Sequence, residues 1–415
     1  MSPSESDPRE DSPEEFEGYE FGSPEYRRIS ISLFLAGLAT FALLYDTQPV
    51  LPQIGAHFDL RPDQAALSVS VSTLGLAVAL LVVGPVSEVR GRTRIIFASL
   101  FTAGLVAIGV GLAPTWELLL LLRLIQGISV AGLPAVAMAY LAEEVHDSAQ
   151  VRAAGLYIGG TALGGMTGRL GVSGLAEIVG WRGGLVGMGI IALLCAVAVW
   201  WWLPRSRGFV PGESGLKHLA QQTSAIMHDK VLIGLFFVAA AGMGSFVGVF
   251  NIMGFRLEAP PYNYSVGVVG LIFIVYALGS YASAFAGKMA QKWGQRKVAP
   301  MAAFVMFIGL LITLATPIWA IILGLAIFTS GFFATHGVAS GWVAARARAG
   351  VGATGQASSG YMFFYYVGSS IFGALAGTFW TWNQWPGVVL MAGVLLVMLI
   401  GVLLMLKRVK PLGAR

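Results

Sequence analysis

Three charged residues interrupt long apolar segments of the chain: Asp46, Arg123 and Arg169. A charged side chain in hydrocarbon is costly, so each is a candidate functional residue. At 1.5 Å per helical residue, Asp46 and Arg169 lie about 25 Å and 24 Å from the cytoplasmic ends of their helices. Arg123 lies in a helix of opposite direction, about 10 Å from its outer end. In a hydrocarbon layer about 30 Å thick, all three reach a similar depth. We therefore predict one polar cluster.

A carboxyl group that moves between two environments can bind and release a proton. A neighbouring arginine favours the carboxylate, whereas isolation in hydrocarbon favours the protonated acid. We therefore predict that Asp46, Arg123 and Arg169 take part in proton coupling. The alternative is a static buried ion pair that only holds three helices together.

Other polar residues in the apolar segments are candidate substrate ligands. Tyr45 precedes the buried acid, and Gln126 lies in the same segment as Arg123. Asn251 lies 205 residues after Asp46 and is the approximate equivalent of that acid in the second half of the chain. We also include His336, for which a pH-sensing role and a packing role inside a bundle are the alternatives.

The elements that position these residues must be membrane helices. The chain has 415 residues, of which 56% are hydrophobic and 11% charged, whereas soluble domains are about a quarter charged. A membrane-spanning helix needs about 20 apolar residues. Hydropathy and helix-breaking residues predict twelve spans, at 29–51, 65–87, 95–113, 116–141, 153–177, 183–203, 231–255, 266–287, 298–316, 318–342, 354–379 and 387–406.

These spans predict an all-α membrane protein with two pseudo-symmetric six-helix halves. The halves are residues 29–203 and 231–406, and a cytoplasmic linker at 204–230 joins them. Residues 1–28 form an acidic tail that we expect to be disordered and cytoplasmic, and residues 407–415 form a second cytoplasmic tail. The first 25 residues contain nine acidic residues and one basic residue, which is unlike a signal peptide.

Lysine and arginine cluster in alternate loops, which predicts the orientation of the chain. The opposite loops contain only Arg61, Arg182 and Arg256. We expect both termini to be cytoplasmic and the protein to lie in the inner membrane. Because the positive excess outside the acidic tail belongs to these loops, it gives no support for nucleic-acid binding. The single cysteine, Cys195, and five scattered histidines predict neither a disulfide nor a metal site.

The two halves share a repeat with a nearly constant offset. The segment Gly84–Gly91 aligns with Gly287–Gly294 at an offset of 203 residues, and Trp181-Arg-Gly aligns with Trp385-Pro-Gly at an offset of 204. Parallel repeats of this kind place a binding site between the halves near the middle of the bilayer.

Three motifs make the chain similar to the major facilitator superfamily. The loop between the second and third spans contains Gly84, Glu88, Gly91 and Arg92, and its second copy contains Gly287, Gly294 and Arg296. The fourth span reads Arg123-Leu-Ile-Gln126-Gly127, which resembles the helix-4 motif of proton-coupled members. The fifth span has Gly160, Gly164 and Gly168, which resemble the helix-5 motif of drug–proton antiporters, with Gly165 in the place of its proline.

The resemblance implies roles for these residues. The two loops would form a conformational gate on the cytoplasmic side, Arg123 would take part in proton coupling, and the glycines would allow close helix packing. The chain looks closest to the drug–proton antiporter and sugar-efflux-permease-like branch. We therefore expect a monomeric, proton-coupled exporter of small amphipathic molecules that needs no cofactor.

Two other functions remain open on the sequence. One is a sugar or metabolite carrier that works in either direction, and the other is a non-transporting membrane sensor with the same fold. The sequence contains no P-loop, metal-ligand spacing or nucleophilic-serine motif, so it gives no support for an ATP-driven or enzymatic function.

Overall fold

The computed structural model describes residues 16–208 and 216–409, without the side chains of residues 85, 88 and 216–220. The described chain is almost entirely helical, and one isolated β-bridge joins Tyr19 to Val145. The helices are α1 (Pro24–Leu44), α2 (Leu51–Phe58), α3 (Pro62–Arg90), α4 (Arg92–Leu112), α5 (Trp116–Val130), α6 (Gly132–Glu144), α7 (Asp147–Trp202), α8 (Leu216–His228), α9 (Lys230–Glu258), α10 (Val266–Gly270), α11 (Tyr276–Trp293), α12 (Gln295–Ile312), α13 (Ile318–Ala349) and α14 (Thr354–Arg408).

The described helices account for the twelve predicted crossings. Within the described ranges, ten helical segments are long and apolar enough to span a membrane. Two of them, α7 with 56 residues and α14 with 55, are each more than twice the length that one crossing needs. Non-helical backbone at Gly180 divides α7, and Asn383 with Gln384 divides α14. Counting each as two crossings gives twelve, so the predicted all-α fold is confirmed.

The first crossing differs from the continuous span predicted at 29–51. It ends as α-helix at Leu44, continues as a 3-10 turn at Gln48–Val50, and resumes as α2 as far as Phe58. Pro49 has no backbone N–H, and its ring clashes with the carbonyl four residues before it. The proline therefore breaks the helix beside Asp46.

Glycines allow α7 to lie unusually close to α1. A Cβ atom on Gly160, Gly164 or Gly168 would overlap backbone atoms of residues 34, 38 and 42, respectively. In the second half, Gly368 of α14 lies equally close to the carbonyl of Ala240 in α9. In α7 and in α14, the part before the non-helical break therefore packs against the first helix of its own half. Small residues permit this close packing in lipid.

The internal repeat is visible in the backbone of the two short loops. Gly91 has φ 88° and ψ 144°, and Gly294 has φ 84° and ψ 145°. Each glycine separates two consecutive helices, and positive φ is a conformation that glycine adopts without a steric cost. The two loops therefore have the same turn, 203 residues apart.

The two halves contact each other at the end of the bundle remote from the chain termini. Gln53 Nε2 donates to Glu258 Oε2 at 2.7 Å, and the backbone N–H of Gly267 donates to Glu177 Oε2 at 2.9 Å. Nearer the middle, Ser370 Oγ donates to the carbonyl of Ser70 at 2.8 Å. These bonds join the first half to the second and close that end.

Candidate functional site

Asp46 lies in the break between α1 and the 3-10 turn, and its side chain is fully buried. Its Oδ1 is 2.6 Å from Nη1 of Arg123, which is also fully buried. Its Oδ2 accepts a hydrogen bond of 3.0 Å from Gln126 Nε2. The structure therefore brings three of the predicted site residues, Asp46, Arg123 and Gln126, into direct contact.

The broken helix supplies further acceptors for the buried guanidinium. Arg123 Nη2 donates to the carbonyl of Leu44 at 2.9 Å, and Nη1 donates to that of Leu43 at 3.3 Å. Carbonyls at the end of a helix have no partner within it. Arg123 Nε donates to the carbonyl of Ser68 in α3 at 2.7 Å. Arg123 thus connects α1, α3 and α5 through one side chain.

Arg169 lies in a different environment from the one that depth alone predicted. Its Nε donates to Gln48 Oε1 at 2.5 Å, and its Nη1 donates to the carbonyl of Gly165. Aromatic rings lie near its guanidinium carbon: Tyr45 at 4.5 Å, Tyr276 at 4.9 Å and Phe273 at 5.4 Å. Across the described residues, no carboxylate forms an ion pair with Arg169.

Gln48 connects this arginine to the second half of the chain. Its Nε2 donates to Asn251 Oδ1 at 2.7 Å, and Asn251 Nδ2 donates to the carbonyl of Gly373 at 3.1 Å. The predicted site includes Asn251 but not Gln48. The offset of 203 residues between the two amides, which matches the loop repeat, is the signal that could have found it.

Buried hydroxyl groups without a hydrogen-bond partner among the described residues include Tyr276 Oη, on a ring 4.9 Å from the Arg169 guanidinium, and Ser173 Oγ. Ser173 lies one helical turn after Arg169 on α7, and Tyr276 begins α11 in the second half. Buried polar groups are normally hydrogen-bonded, so unsatisfied ones need an explanation such as an absent ligand.

An aromatic cluster continues from Tyr276 into the second half. The ring of Tyr276 is 5.0 Å from Phe250 and 5.2 Å from Phe246. The ring of Phe246 lies 4.1 Å from Phe332 in a stacked arrangement. An apolar, ring-lined region therefore adjoins the polar network.

His336 lies within the second half, apart from the Asp46–Arg123 pair. Its Nδ1 is 3.0 Å from the hydroxyl of Tyr361, and its ring is 4.8 Å from that of Tyr365. A small cavity lined by these three residues lies between α9, α13 and α14. The described contacts of the His336 ring are thus with aromatic residues of its own half. The substrate contact predicted for His336 stays a prediction.

The predicted gate residues form contacts inside each half. Arg92 Nη2 is 2.8 Å from Glu143 Oε1, which ties α4 to α6. In the second copy, Arg296 Nη1 donates to the carbonyl of Val409. Gly84 and Gly287 have open space where a Cβ would lie. The side chain of Glu88 is outside the described part of the structure, and the gating role of these residues stays a prediction.

Two acidic residues that pair with arginines at the same end of the bundle are absent from the predicted gate. Glu143 lies in the last turn of α6, beyond the end of the predicted span, and it pairs with Arg92. In the second half, Asp229 Oδ2 is 2.8 Å from Arg346 Nε. Arg346 lies 203 residues after Glu143, the offset of the repeat. At this equivalent position the first half therefore has an acid and the second half has a base.

Comparisons with known proteins agree with this architecture. The sequence model described as the Major Facilitator Superfamily matches residues 29–262. The chain is 41% identical over 369 residues to the uncharacterized MFS-type transporter YybF of Bacillus subtilis, which covers 89% of this chain and 90% of that protein. It is 39% identical over 368 residues to the inner membrane transport protein YnfM of Escherichia coli, which covers 88% and 87% of the two chains.

Solved structures show the same fold at low sequence identity. A bacterial homolog of the human lysosomal transporter Spinster, in an inward-facing and occupied conformation, has a TM-score of 0.76 at 16% identity and covers 94% of this chain and 98% of that one. A D-xylose–proton symporter has a TM-score of 0.71 at 15% identity, with 90% and 97% of the chains covered.

Proposed function

Because the chain belongs to the major facilitator superfamily, a family of membrane transporters, we propose that it is a proton-coupled secondary transporter. It exports small amphipathic molecules by alternating access between its two halves. The chain is a multi-pass membrane protein, and its similarity to YnfM supports a location in the inner membrane.

The observation that carries proton coupling is the fully buried ion pair between Asp46 and Arg123. Protonation of Asp46 removes its charge and weakens its bond to the guanidinium. Arg123 keeps its carbonyl acceptors in α1 and α3, so it stays anchored when the carboxyl group is neutral. The break at Asp46 lets the end of α1 reorient without disrupting a continuous helix. Proton binding is thereby linked to the position of the 3-10 turn after α1, which bonds to the second half through Gln48 and Asn251.

The contacts between the halves support alternating access. The hydrogen bonds Gln53–Glu258 and Glu177–Gly267 close the end remote from the termini. With the termini in the cytoplasm, as the loop charges favour, this closed end faces outward. A transporter must open this end and close the other to release its substrate outside.

Two features support export of amphipathic molecules. Gly160, Gly164 and Gly168 pack closely against α1. These glycines align with the helix-5 glycine motif of antiporters. The polar network at Arg169 adjoins the aromatic rings around Tyr276 and Phe246, so polar and apolar surfaces meet at one site, as most ligand sites require.

The experiment that tests this function is a proteoliposome assay with a pH-sensitive dye inside the vesicles. Adding substrates from a panel of drugs, sugars and organic acids should move protons in the wild type. Asp46→Asn should abolish proton movement, because an amide cannot exchange the proton. Asp59→Asn is the matched control: Asp59 is exposed and has φ 53°, a backbone conformation that asparagine tolerates. Normal proton movement in Asp46→Asn would refute the coupling role.

A further inference from the structure

We propose that the substrate is an organic anion, and that Arg169 binds its carboxylate between the two halves of the transporter. This inference rests on the proposed transport function and specifies the chemical class of the substrate.

The buried charges at this level do not cancel. Asp46 forms an ion pair with Arg123, and both side chains are fully buried. Arg169 is only 3% exposed and, over the described ranges, lacks an acidic partner. Buried charges in proteins are normally paired or bound to a ligand. The site therefore has one positive charge that an anion would neutralise.

Arg169 also has hydrogen-bond donors to spare. A guanidinium has five N–H groups in a planar arrangement that suits a carboxylate. In the structure, Nε donates to Gln48 and Nη1 donates to the carbonyl of Gly165. For Nη2, no acceptor is found among the described residues. These bonds fix the orientation of the guanidinium while leaving donors for a ligand.

The groups beside Arg169 come from both halves. Tyr45 belongs to the first half, whereas Phe273 and Tyr276 belong to the second. The hydroxyls of Ser173 and Tyr276 are buried and unsatisfied within the described chain. A carboxylate bound to Arg169 of the first half could accept from the Tyr276 hydroxyl of the second half and so bridge the halves, which is what a substrate must do to influence their relative position.

The aromatic rings around Arg169 indicate the chemical nature of the substrate beyond its carboxylate. Tyr276 and Phe273 contact Arg169 and also belong to the aromatic cluster around Phe250. A ligand that places its carboxylate at Arg169 would place its body against these rings. The preferred substrate is therefore an aromatic or other ring-bearing carboxylate, and a polyhydroxylated sugar would leave its hydroxyls unpaired there.

The geometry favours this role over proton coupling by Arg169. Arg123 makes the direct bond to Asp46, whereas Arg169 is bonded to Gln48 and stacks on Tyr45. A purely structural cation held by aromatic rings is the competing explanation. It predicts that carboxylates have no effect on the purified protein.

The test is ligand-induced thermal stabilisation of the purified full chain in detergent. The probes are benzoate, 2-naphthoate and indole-3-acetate, each compared with its neutral amide. We expect at least one acid to raise the unfolding temperature in a saturable manner, while its amide has little effect. Arg169→Gln should weaken that acid at least about tenfold, since hydrogen bonds to a charged group are among the stronger ones. Arg152→Gln, in the same helix but exposed, should bind normally.

Each outcome decides the proposal. Equal effects of acid and amide, no effect of any acid, or unchanged binding in Arg169→Gln would overturn it. If Arg169→Gln does not fold, Arg169→Lys replaces it, because it keeps the charge but loses the planar donor pair, and we expect intermediate affinity. Binding at equilibrium needs no proton movement. Failure here would therefore leave the proton-coupling function standing, and loss of proton coupling in Asp46→Asn can be measured separately.

Discussion

Gln48 and Asn251 are hydrogen-bonded to each other at 2.7 Å across the boundary between the halves. They are 203 residues apart, the same offset that relates Gly91 to Gly294. The two amides therefore occupy equivalent positions and meet where the halves meet. The same offset places Val249 at the position equivalent to Asp46, so the expected equivalence of Asp46 and Asn251 is displaced by two residues.

This register shows that the polar site is asymmetric. The positions of the second half that match Asp46 and Arg123 are Val249 and Ala326. The first half therefore holds the titratable pair, and the second half contributes aromatic rings and Asn251. A transporter with this division can bind its proton in one half and much of its substrate in the other.

The first prediction concerns the energy of the Asp46–Arg123 pair. Arg123→Ala leaves a buried carboxylate without its cation and should lower the free energy of unfolding by about 3–5 kcal/mol. Asp46→Asn should cost less, because its amide can still hydrogen-bond. The double variant should be more stable than the sum of the single losses implies, by about 0.5–3 kcal/mol. Equilibrium unfolding in mixed detergent micelles measures all four proteins.

Additive losses would contradict that prediction, because they would mean that the two side chains do not interact in the folded protein. Arg123→Lys is a useful fourth variant. It retains the charge, but its ammonium cannot reproduce the planar set of bonds to residues 43, 44 and 68. We expect a stability between those of wild type and Arg123→Ala.

The second prediction uses the close contact between α7 and α1. A Cβ on Gly164 would overlap the carbonyl of Leu38, whereas a Cβ on Gly159 would meet open space. Gly164→Ala should therefore destabilise the protein by about 1–3 kcal/mol through overpacking. Gly159→Ala, in the same helix, should be neutral or slightly stabilising, since alanine favours helix. The midpoint of unfolding in detergent distinguishes the two, and equal effects would show that α7 does not pack on α1 in this manner.

The sequence predicted the twelve crossings because membrane spans leave a strong one-dimensional signal of length and hydropathy. It also predicted the contact between Asp46 and Arg123, since both residues are charged and lie at the same depth. It could not predict the direction in which Arg169 points. Depth follows from the helical rise, whereas rotation about the helix axis depends on packing against α1, and Arg169 accordingly contacts Gln48 instead of Asp46.

The break in the first crossing was also beyond the prediction, although its cause is visible in the sequence. Pro49 lies in an apolar run whose hydropathy alone indicates a continuous span. Proline is tolerated in membrane helices when other groups satisfy the freed backbone. Arg123 and Gln126 do so by donating to the carbonyl of Leu43, a contact that only the folded bundle reveals.

The third prediction tests alternating access at the closed end. The Cβ of Glu177 lies 3.2 Å from the position that a Cβ on Gly267 would occupy, near the spacing of a disulfide. In a Cys195→Ser background, Glu177→Cys combined with Gly267→Cys should form a disulfide on oxidation. That bond should abolish transport, and reduction should restore it. Transport assays before and after reductant measure the effect, and each single variant serves as control. Full activity of the cross-linked protein would show that this end need not open.

The last prediction gives Arg169 a counterion from within the chain. Gln48→Glu keeps the size of the side chain and places a carboxylate where Gln48 Oε1 now accepts from Arg169 at 2.5 Å. The carboxylate cannot donate to Asn251 Oδ1 as Gln48 Nε2 does. The new ion pair should nevertheless raise the unfolding temperature, because a buried cation without a partner is more unfavourable than one lost hydrogen bond. It should also compete with an anionic substrate, so that stabilisation by 2-naphthoate or indole-3-acetate is lost.

Gln48→Met is the matched control, because methionine has a similar length but neither charge nor a strong acceptor. It should lower the unfolding temperature, since Arg169 and Asn251 both lose a partner, yet it should retain the response to carboxylates. We thus expect Gln48→Glu to be more stable but to lose the ligand response, and Gln48→Met to be less stable but to keep it. A general disturbance of packing would not produce these opposite effects, whereas charge compensation would. A Gln48→Glu protein that still binds aromatic acids like the wild type would mean that the positive charge of Arg169 is not what attracts them.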